Sequence, residues 1–489
     1  MKKIFLNNII SAVLLILLAG NGITAEKPNV IVIITDDQGY ADAGFQNLPA
    51  SKEVLTPQLD RLAASGMVFK NAYVAFSTCG PSRASLMTGR SGSRFGVEEN
   101  SVHPPVSEIF IPRALKAQGY VTAAFGKWHL GTEKGEDPSG RGFDYYYGDI
   151  PKQKDYFMKK LEEPPCWKSG IEKPRAYGKY VTDAYTDEAV QFIKRNKDKP
   201  FFTYVAYNAP HSPFRTYESL VKRVVEKRPR WKPVYERMKA QGKFPAYDFG
   251  KFKGDDLDQE IIRLCYLSML LAADDGVGKI IDTLDELNLR KKTLIFYLSD
   301  NGAALSRPND LGGVNLPLRS GKGSVYEGGC RVPFVMSWPG TIPQGTDNGL
   351  LVSSMDIFST AVELSGGQIP QSVKIDGVNL IPFVTGKSSE KPHEYLFFRR
   401  KGRNAWSLRS GNYKWVWNPG KKKDRDNKDP FLGPEQNPSG GLYDVQNNMS
   451  EDKDLSAKFP EMKKSIQEIY NQINKELPEP KIPVGEDND

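Results

Sequence analysis

Four short apolar runs in this sequence stop abruptly at residues able to hold an ion or move a proton. Asn29 to Thr35 (NVIVIIT) is nearly unbroken in β-branched residues and ends in Asp36-Asp37. Tyr120 to Phe125 leads into Gly126-Lys127-Trp128-His129-Leu130-Gly131, and Phe201 to Tyr207 into Asn208-Ala209-Pro210-His211-Ser212-Pro213. Leu294 to Ser299 leads into Asp300-Asn301-Gly302. A continuous apolar run of this length reads as a strand buried on both faces of a mainly parallel sheet. Helical patterns fall between some of the runs, at Thr56 to Ser65, Thr186 to Asn196 and about Asp258 to Leu289. The alternation predicts an α/β fold: a large mixed, mainly parallel sheet sandwiched by helices. Ligands of such sheets bind beyond the carboxyl ends of the strands. Four ends carrying Asp-Asp, Lys/His, His and Asp-Asn therefore predict an active site, although Asp36-Asp37 taken alone is equally a turn.

Ser77 to Arg90 reads as a loop turning into a helix. Thr78 or Cys79 can cap it, Pro81 suits its first turn, Leu86 and Met87 give it an apolar face, and Gly89 can end it. Cys79 then sits where free N–H groups and the helix dipole favour negative charge, and Arg83 lies about one turn further on. Two readings stand side by side: a cysteine nucleophile with a lowered pKa, or a small buried thiol. Asp36, Asp37, Asp300 and Asn301 offer oxygen ligands alone, which suit Ca²⁺ or Mg²⁺ and not zinc. A soft thiolate would be a poor partner for such a cation, and a reactive thiol is vulnerable outside the cytoplasm.

Export is expected from the N-terminus. Lys2 and Lys3 precede an apolar run from Ile9 to Leu18, with small and polar residues up to Ala25. This is the pattern of a signal peptide, taken as residues 1–25, and not of a spanning helix or a stable membrane anchor. Four cysteines do not make a disulfide scaffold. If Cys79 is modified, Cys166, Cys265 and Cys330 allow at most one bridge. Residues 26–375 are expected to form the catalytic domain and 376–489 a smaller one. In the latter, Tyr395 to Arg400, Ala405 to Arg409 and Tyr413 to Trp417 suggest a small antiparallel sheet with a tight turn at Gly411-Asn412. Pro460 to Leu477 reads as a closing helix. The insertions Pro151 to Tyr185 and Phe214 to Gly254 are rich in Lys, Arg, Pro and aromatics. Within the second, Arg228, Arg230, Trp231, Lys232 and Tyr235 are either a solvated surface or a rim that grips a substrate.

Cys79-Gly80-Pro81-Ser82-Arg83, followed by Leu86 and Thr88-Gly89-Arg90, resembles the signature of the type I sulfatases of the alkaline phosphatase superfamily. The likeness extends to Asp36-Asp37, Gly126 to Gly131, His211 to Pro213, Ser299 to Gly302 and Lys322 ahead of Tyr326-Glu327-Gly328-Gly329. It implies that Cys79 becomes formylglycine through a formylglycine-generating or sulfatase-maturating enzyme. It implies Ca²⁺, rather than Mg²⁺, held by Asp36, Asp37, Asp300, Asn301 and the modified Cys79. By the same resemblance Arg83 and His129 support the hydrate, and His211, with Lys322, meets the bridging oxygen. Lys127 and Lys322 then neutralise the other sulfate oxygens. An aldehyde hydrate has hard oxygens, which removes the thiolate conflict. The implied protein is a periplasmic or secreted sulfatase acting on a sulfated glycan, with no nucleic-acid partner. The rival enzyme is a phosphoester or phosphonate monoester hydrolase of the same superfamily. A rival of another class is a glycan binder with unmodified Cys79.

Overall fold

The structure is a computed structural model describing residues 27–149, 156–157, 166–169, 180–240, 258–305, 312–369, 373–419 and 440–481. The expected signal peptide, most of the 151–185 insertion and the end of the 214–254 insertion lie outside the described residues. Nine strands form one sheet: β1 (Asn29–Thr35), β2 (Met67–Tyr73), β3 (Val121–Gly126), β4 (Tyr145–Asp149), β5 (Cys166–Ser169), β6 (Phe201–Ala206), β7 (Thr293–Ser299), β8 (Phe334–Ser337) and β9 (Thr346–Ser353). Their order is β5-β4-β3-β6-β1-β7-β8-β2-β9. From β4 to β7 all neighbours are parallel. β5 and β8 run against them, while β2 and β9 run with them. The four runs singled out in the sequence are β3, β6, β1 and β7, which lie side by side at the centre.

Alternate residues of the central strands enter two separate cores, which is why these strands are apolar throughout. Ile31, Ile33, Val205, Ile295 and Tyr297 face one core, and Val30, Val32, Ile34, Phe296 and Leu298 face the other. The first is covered by helices Pro57–Ala64, Val181–Arg195 and Gln259–Glu286, the second by Cys79–Thr88, Ile111–Lys116 and Asp356–Leu364. Helix Gln259–Glu286 has 28 residues, roughly 42 Å at 1.5 Å per residue. It spans the whole face. Helix Val181–Arg195 begins earlier than its pattern suggested, because Val181, Ala184 and Tyr185 already pack into the first core.

A second sheet, antiparallel in the order β10 (Tyr395–Arg400), β11 (Ala405–Ser410), β12 (Tyr413–Trp417) and β13 (Gly441–Asp444), lies in the C-terminal part. Ser410 pairs with Tyr413, so Gly411-Asn412 forms the expected two-residue turn. Helix Pro460–Glu476 closes this sheet through Ile466, Tyr470 and Ile473, with Tyr470 stacked on Trp406 at 3.6 Å. A buried ionic network joins the two sheets. The Lys414 ammonium on β12 lies 2.9 Å from Glu327 and 3.3 Å from Glu451. Glu327 also accepts from the Tyr73 hydroxyl of β2 at 2.6 Å and pairs with Arg331 at 3.1 Å. Removing one member would leave a buried charge uncompensated.

Candidate active site

Register brings the polar strand ends to one level. Thr35 pairs with Ser299, and Ala206 pairs with both Ile34 and Gly126. Asp36, Asp300, Lys127 and Tyr207 therefore leave the sheet side by side. Helix Cys79–Thr88 begins at the same edge and is buried along its whole length. Thr78 is its N-cap residue, but contrary to expectation its side chain makes no capping bond. Asn100 Oδ1 instead accepts the Gly80 N–H at 2.9 Å. Gly89, at φ 67°, ends the helix as expected.

Ligand atoms from Asp36, Asp37, Cys79 and Asp300 all lie within 4.8 Å of one another, and all four residues are buried. Asn301 donates to Asp37 Oδ1 at 2.7 Å, while its own Oδ1 is buried without a partner. Three cations border the carboxylates. Lys127 Nζ is 2.5 Å from Asp36 Oδ2, and Lys322 Nζ is 3.0 Å from Asp37 Oδ1. Arg83 donates to Asp300 Oδ2 through Nε at 3.0 Å and Nη2 at 2.7 Å, and lies 3.6 Å from Asp36. Burial pushes Asp36 up, but Lys127, then His211, Arg83 and Lys322, hold it well below the usual carboxylate range. Burial and the neighbouring Asp36 push Asp300 up to about 6, against the pull of Arg83. Buried oxygens crowded this closely, with an orphaned amide oxygen among them, fit a hard divalent cation. Three carboxylates already balance three side-chain cations. A divalent ion would thus leave two positive charges facing an incoming anion.

His211 Nδ1 is 2.5 Å from the Ser212 carbonyl, so Nδ1 carries the proton and Nε2 faces the cluster, 3.5 Å from Asp37 Oδ2. Burial holds its pKa below the ordinary value, with Asp36 opposing. His129, at φ 57°, has a buried Nδ1 without a partner. Burial and then Lys127 hold its pKa well below the ordinary value. Asp37 also adopts a left-handed backbone, at φ 62°, and such strain in non-glycine residues concentrates at functional sites.

Contacts thus unite Asp36, Asp37, Cys79, Arg83, Lys127, His211, Asp300, Asn301 and Lys322, with His129 two residues beyond Lys127. The surroundings of Cys79 go against the lowered-pKa reading and with the buried-thiol one. Burial, and after it the Asp300 carboxylate, push the thiol far above its ordinary value. Its sulfur is 3.5 Å from Asp36 Oδ1. In the basic cluster of the second insertion, two of the arginines are engaged by the protein itself. Arg228 donates to the carbonyls of Lys52 and Val54, both at 2.8 Å. Arg230 pairs with Glu53 at 2.7 Å and lies over the buried Trp231 ring at 4.0 Å.

Sequence reasoning missed Tyr204, whose hydroxyl accepts from Arg83 Nη1 at 3.2 Å. It also missed Asp149, which accepts from Asn208 Nδ2 at 3.1 Å and from the Tyr185 hydroxyl at 3.0 Å. Asp149 ends β4, so the same strand-end rule could have found it in Tyr-Tyr-Tyr-Gly-Asp.

Comparison with known proteins agrees with this geometry. The family model described as Sulfatase matches residues 28–367, and one described as N-sulphoglucosamine sulphohydrolase, C-terminal, matches residues 321–417. N-acetylgalactosamine-6-sulfatase of Mus musculus is 33% identical over 445 residues, 83% of this chain and 76% of that protein. Arylsulfatase A of Bos taurus is 31% identical, over 81% of this chain and 76% of its own. The crystal structure of Ps i-CgsB in complex with k-i-k-neocarrahexaose superposes with a TM-score of 0.74 at 32% identity, covering 93% of this chain and 94% of that one. The chain belongs to the type I sulfatases, sulfuric ester hydrolases with the alkaline-phosphatase-like fold.

Proposed function

We propose that this protein removes sulfate from a sulfated carbohydrate, with Ca²⁺ in the carboxylate cluster and Cys79 converted to formylglycine. The observation that carries the reading is the buried cluster of Asp36, Asp37, Cys79 and Asp300 with the unpartnered Asn301 Oδ1 beside it. Asp36, Asp37, Asp300, Asn301 and modified residue 79 would hold the ion, which when bound polarises a sulfate oxygen. Formylglycine at residue 79, supported by Arg83, would supply as its hydrate two hydroxyls on one carbon, hence an oxygen nucleophile and a second hydroxyl from which the aldehyde can be regenerated. Arg83, fixed by Asp300 and Tyr204, would support residue 79, with His129 assigned to the same task by the family resemblance. Lys127 and Lys322 neutralise sulfate oxygens, exchanging part of their contact with Asp36 and Asp37 for the substrate. His211 presents Nε2 to the bridging oxygen.

A carbohydrate substrate is supported by the names of the mouse relative and of the neocarrahexaose complex. On the same reading the chain is exported, residues 26–375 form the catalytic unit and 376–489 the subdomain beside it. Rates on a panel of sulfated oligosaccharides, set against an aryl phosphate, test the proposal. Turnover of at least one sugar sulfate is expected to exceed that of the phosphate ester. The opposite order would sink it in favour of a phosphoester hydrolase.

A further inference from the structure

Asp37 is the most heavily tethered member of the cluster. Its carboxylate is held by Asn301 at 2.7 Å, by Lys322 at 3.0 Å and by His211 at 3.5 Å. Its N–H donates to Asp300 Oδ1 at 3.2 Å. Those partners all belong to the site itself. The remaining backbone group, the Asp37 carbonyl, faces the long helix Gln259–Glu286, where the Tyr266 hydroxyl lies 3.2 Å away. The same hydroxyl accepts the Gly39 N–H at 3.0 Å and lies 2.8 Å from Asp42 Oδ2. Asp42 is fully buried, pairs with Arg263 of the same helix at 2.7 Å and accepts the Val314 N–H at 2.7 Å. One phenol oxygen therefore closes the loop from Asp37 to Asp42 upon itself.

That loop contains a backbone in an unfavourable region. A non-glycine residue in left-handed geometry is strained and persists where its surroundings over-determine it. Asp37 is such a residue, at φ 62°, and Tyr266 supplies the anchor on the side away from the cluster. The loop is closely packed at Gly39, against Val314 and its own Asp42. A Cβ at Gly39 would stand 2.3 Å from the Val314 carbonyl oxygen and 2.6 Å from Asp42 Oδ2.

We propose that Tyr266 is a positioning residue for the cation site: its hydroxyl accepts from the Gly39 N–H and shares its one proton between Asp42 Oδ2 and, at the longer distance, the Asp37 carbonyl, and so holds the Asp37 backbone with both carboxylate oxygens aimed into the cluster. The inference rests on the reading of that cluster as a cation site. Groups that orient metal ligands from outside typically contribute 10–100-fold in metal affinity.

The test is calorimetric titration of Ca²⁺ into metal-free full-length protein, with parent and variants in the same state at residue 79. Tyr266→Phe removes one oxygen and keeps the ring. Its dissociation constant is expected to rise at least tenfold. Tyr207→Phe is the control. It deletes a buried hydroxyl that bonds Thr186 at 2.8 Å, apart from the Asp37 loop. It should lower the thermal midpoint of the metal-free protein about as much while leaving the dissociation constant unchanged. A Tyr266→Phe constant within twofold of a parent that does bind Ca²⁺ overturns the inference alone, as would equal weakening by both variants. A parent that binds no Ca²⁺ overturns the cation site and the inference with it.

Discussion

His211 has one ring nitrogen committed to the Ser212 carbonyl and one facing the cluster. If His211 is charged on substrate binding, with a proton on Nε2 as well as on Nδ1, and passes the Nε2 proton to the leaving oxygen, its value depends on how badly that oxygen needs help. A sugar alkoxide is a poor leaving group, whereas a nitrophenolate is stable unaided. His211→Ala is therefore expected to lower kcat on a sugar sulfate by about 10²–10⁴, the usual worth of a general acid. On nitrophenyl sulfate the loss should be at least tenfold smaller. Equal losses on both substrates would remove the proton-transfer role. His393 has a different task. It lies 2.8 Å from Asp356 Oδ1 and is largely buried. Burial lowers its pKa, but the Asp356 carboxylate overcomes this and raises it above the ordinary value. A raised histidine contributes stability that is fully present below the unfolded pKa of about 6.5 and is lost as pH rises through the folded value. His393→Gln should thus lower the thermal midpoint most near pH 5.5 and least near pH 9. A gap that stays constant across that range would contradict the assignment.

Among the elements, the helices owe much to neighbours. Helix Pro57–Ala64 has no side-chain cap of its own. Asp274, on helix Gln259–Glu286, accepts the N–H groups of Gln58 and Leu59 at 3.1 and 2.7 Å, capping that helix from across the core. Asp274→Ala should cost about 1–2 kcal/mol, the range for losing a cap, read as a lower denaturation midpoint. No change would show that the first turn is held by packing alone. Such tertiary caps leave no local mark in a sequence. The strands divide along the same line. β1, β3, β6 and β7 were legible because both faces are buried, which makes their apolar runs continuous. β2 was not, since Lys70 and Asn71 interrupt it, and neither was edge strand β9, whose residues are largely part-exposed. Asp36, Lys127, His211 and Asp300 were legible because each lies within a few residues of a continuous strand. Asn100 and Tyr266 reach the site from a loop and from mid-helix, where nothing nearby in the chain announces them.

On the scale of the whole molecule, the site draws on residues from Asp36 to Lys322 and exists only once the central strands are in register. Long-range parallel pairing is slow to form, so the ends of the strands meet late. The burial of Cys79, 1% exposed and followed by nine further buried helical residues, then acquires a temporal meaning. On the proposed reading, an enzyme that modifies this side chain has to reach a thiol that the folded chain buries. The finished fold offers no such access. On the proposed reading, conversion has to occur while the segment is still unfolded, so synthesis starts a race between editing and collapse. Protein folded first and then exposed to the maturation machinery should show unmodified Cys79 by mass spectrometry, whereas co-expression of the two should yield formylglycine. Efficient conversion of the prefolded pool would show that the helix opens on demand. Otherwise the sheet acts as a deadline: each molecule is made competent before it folds or stays inert for its lifetime.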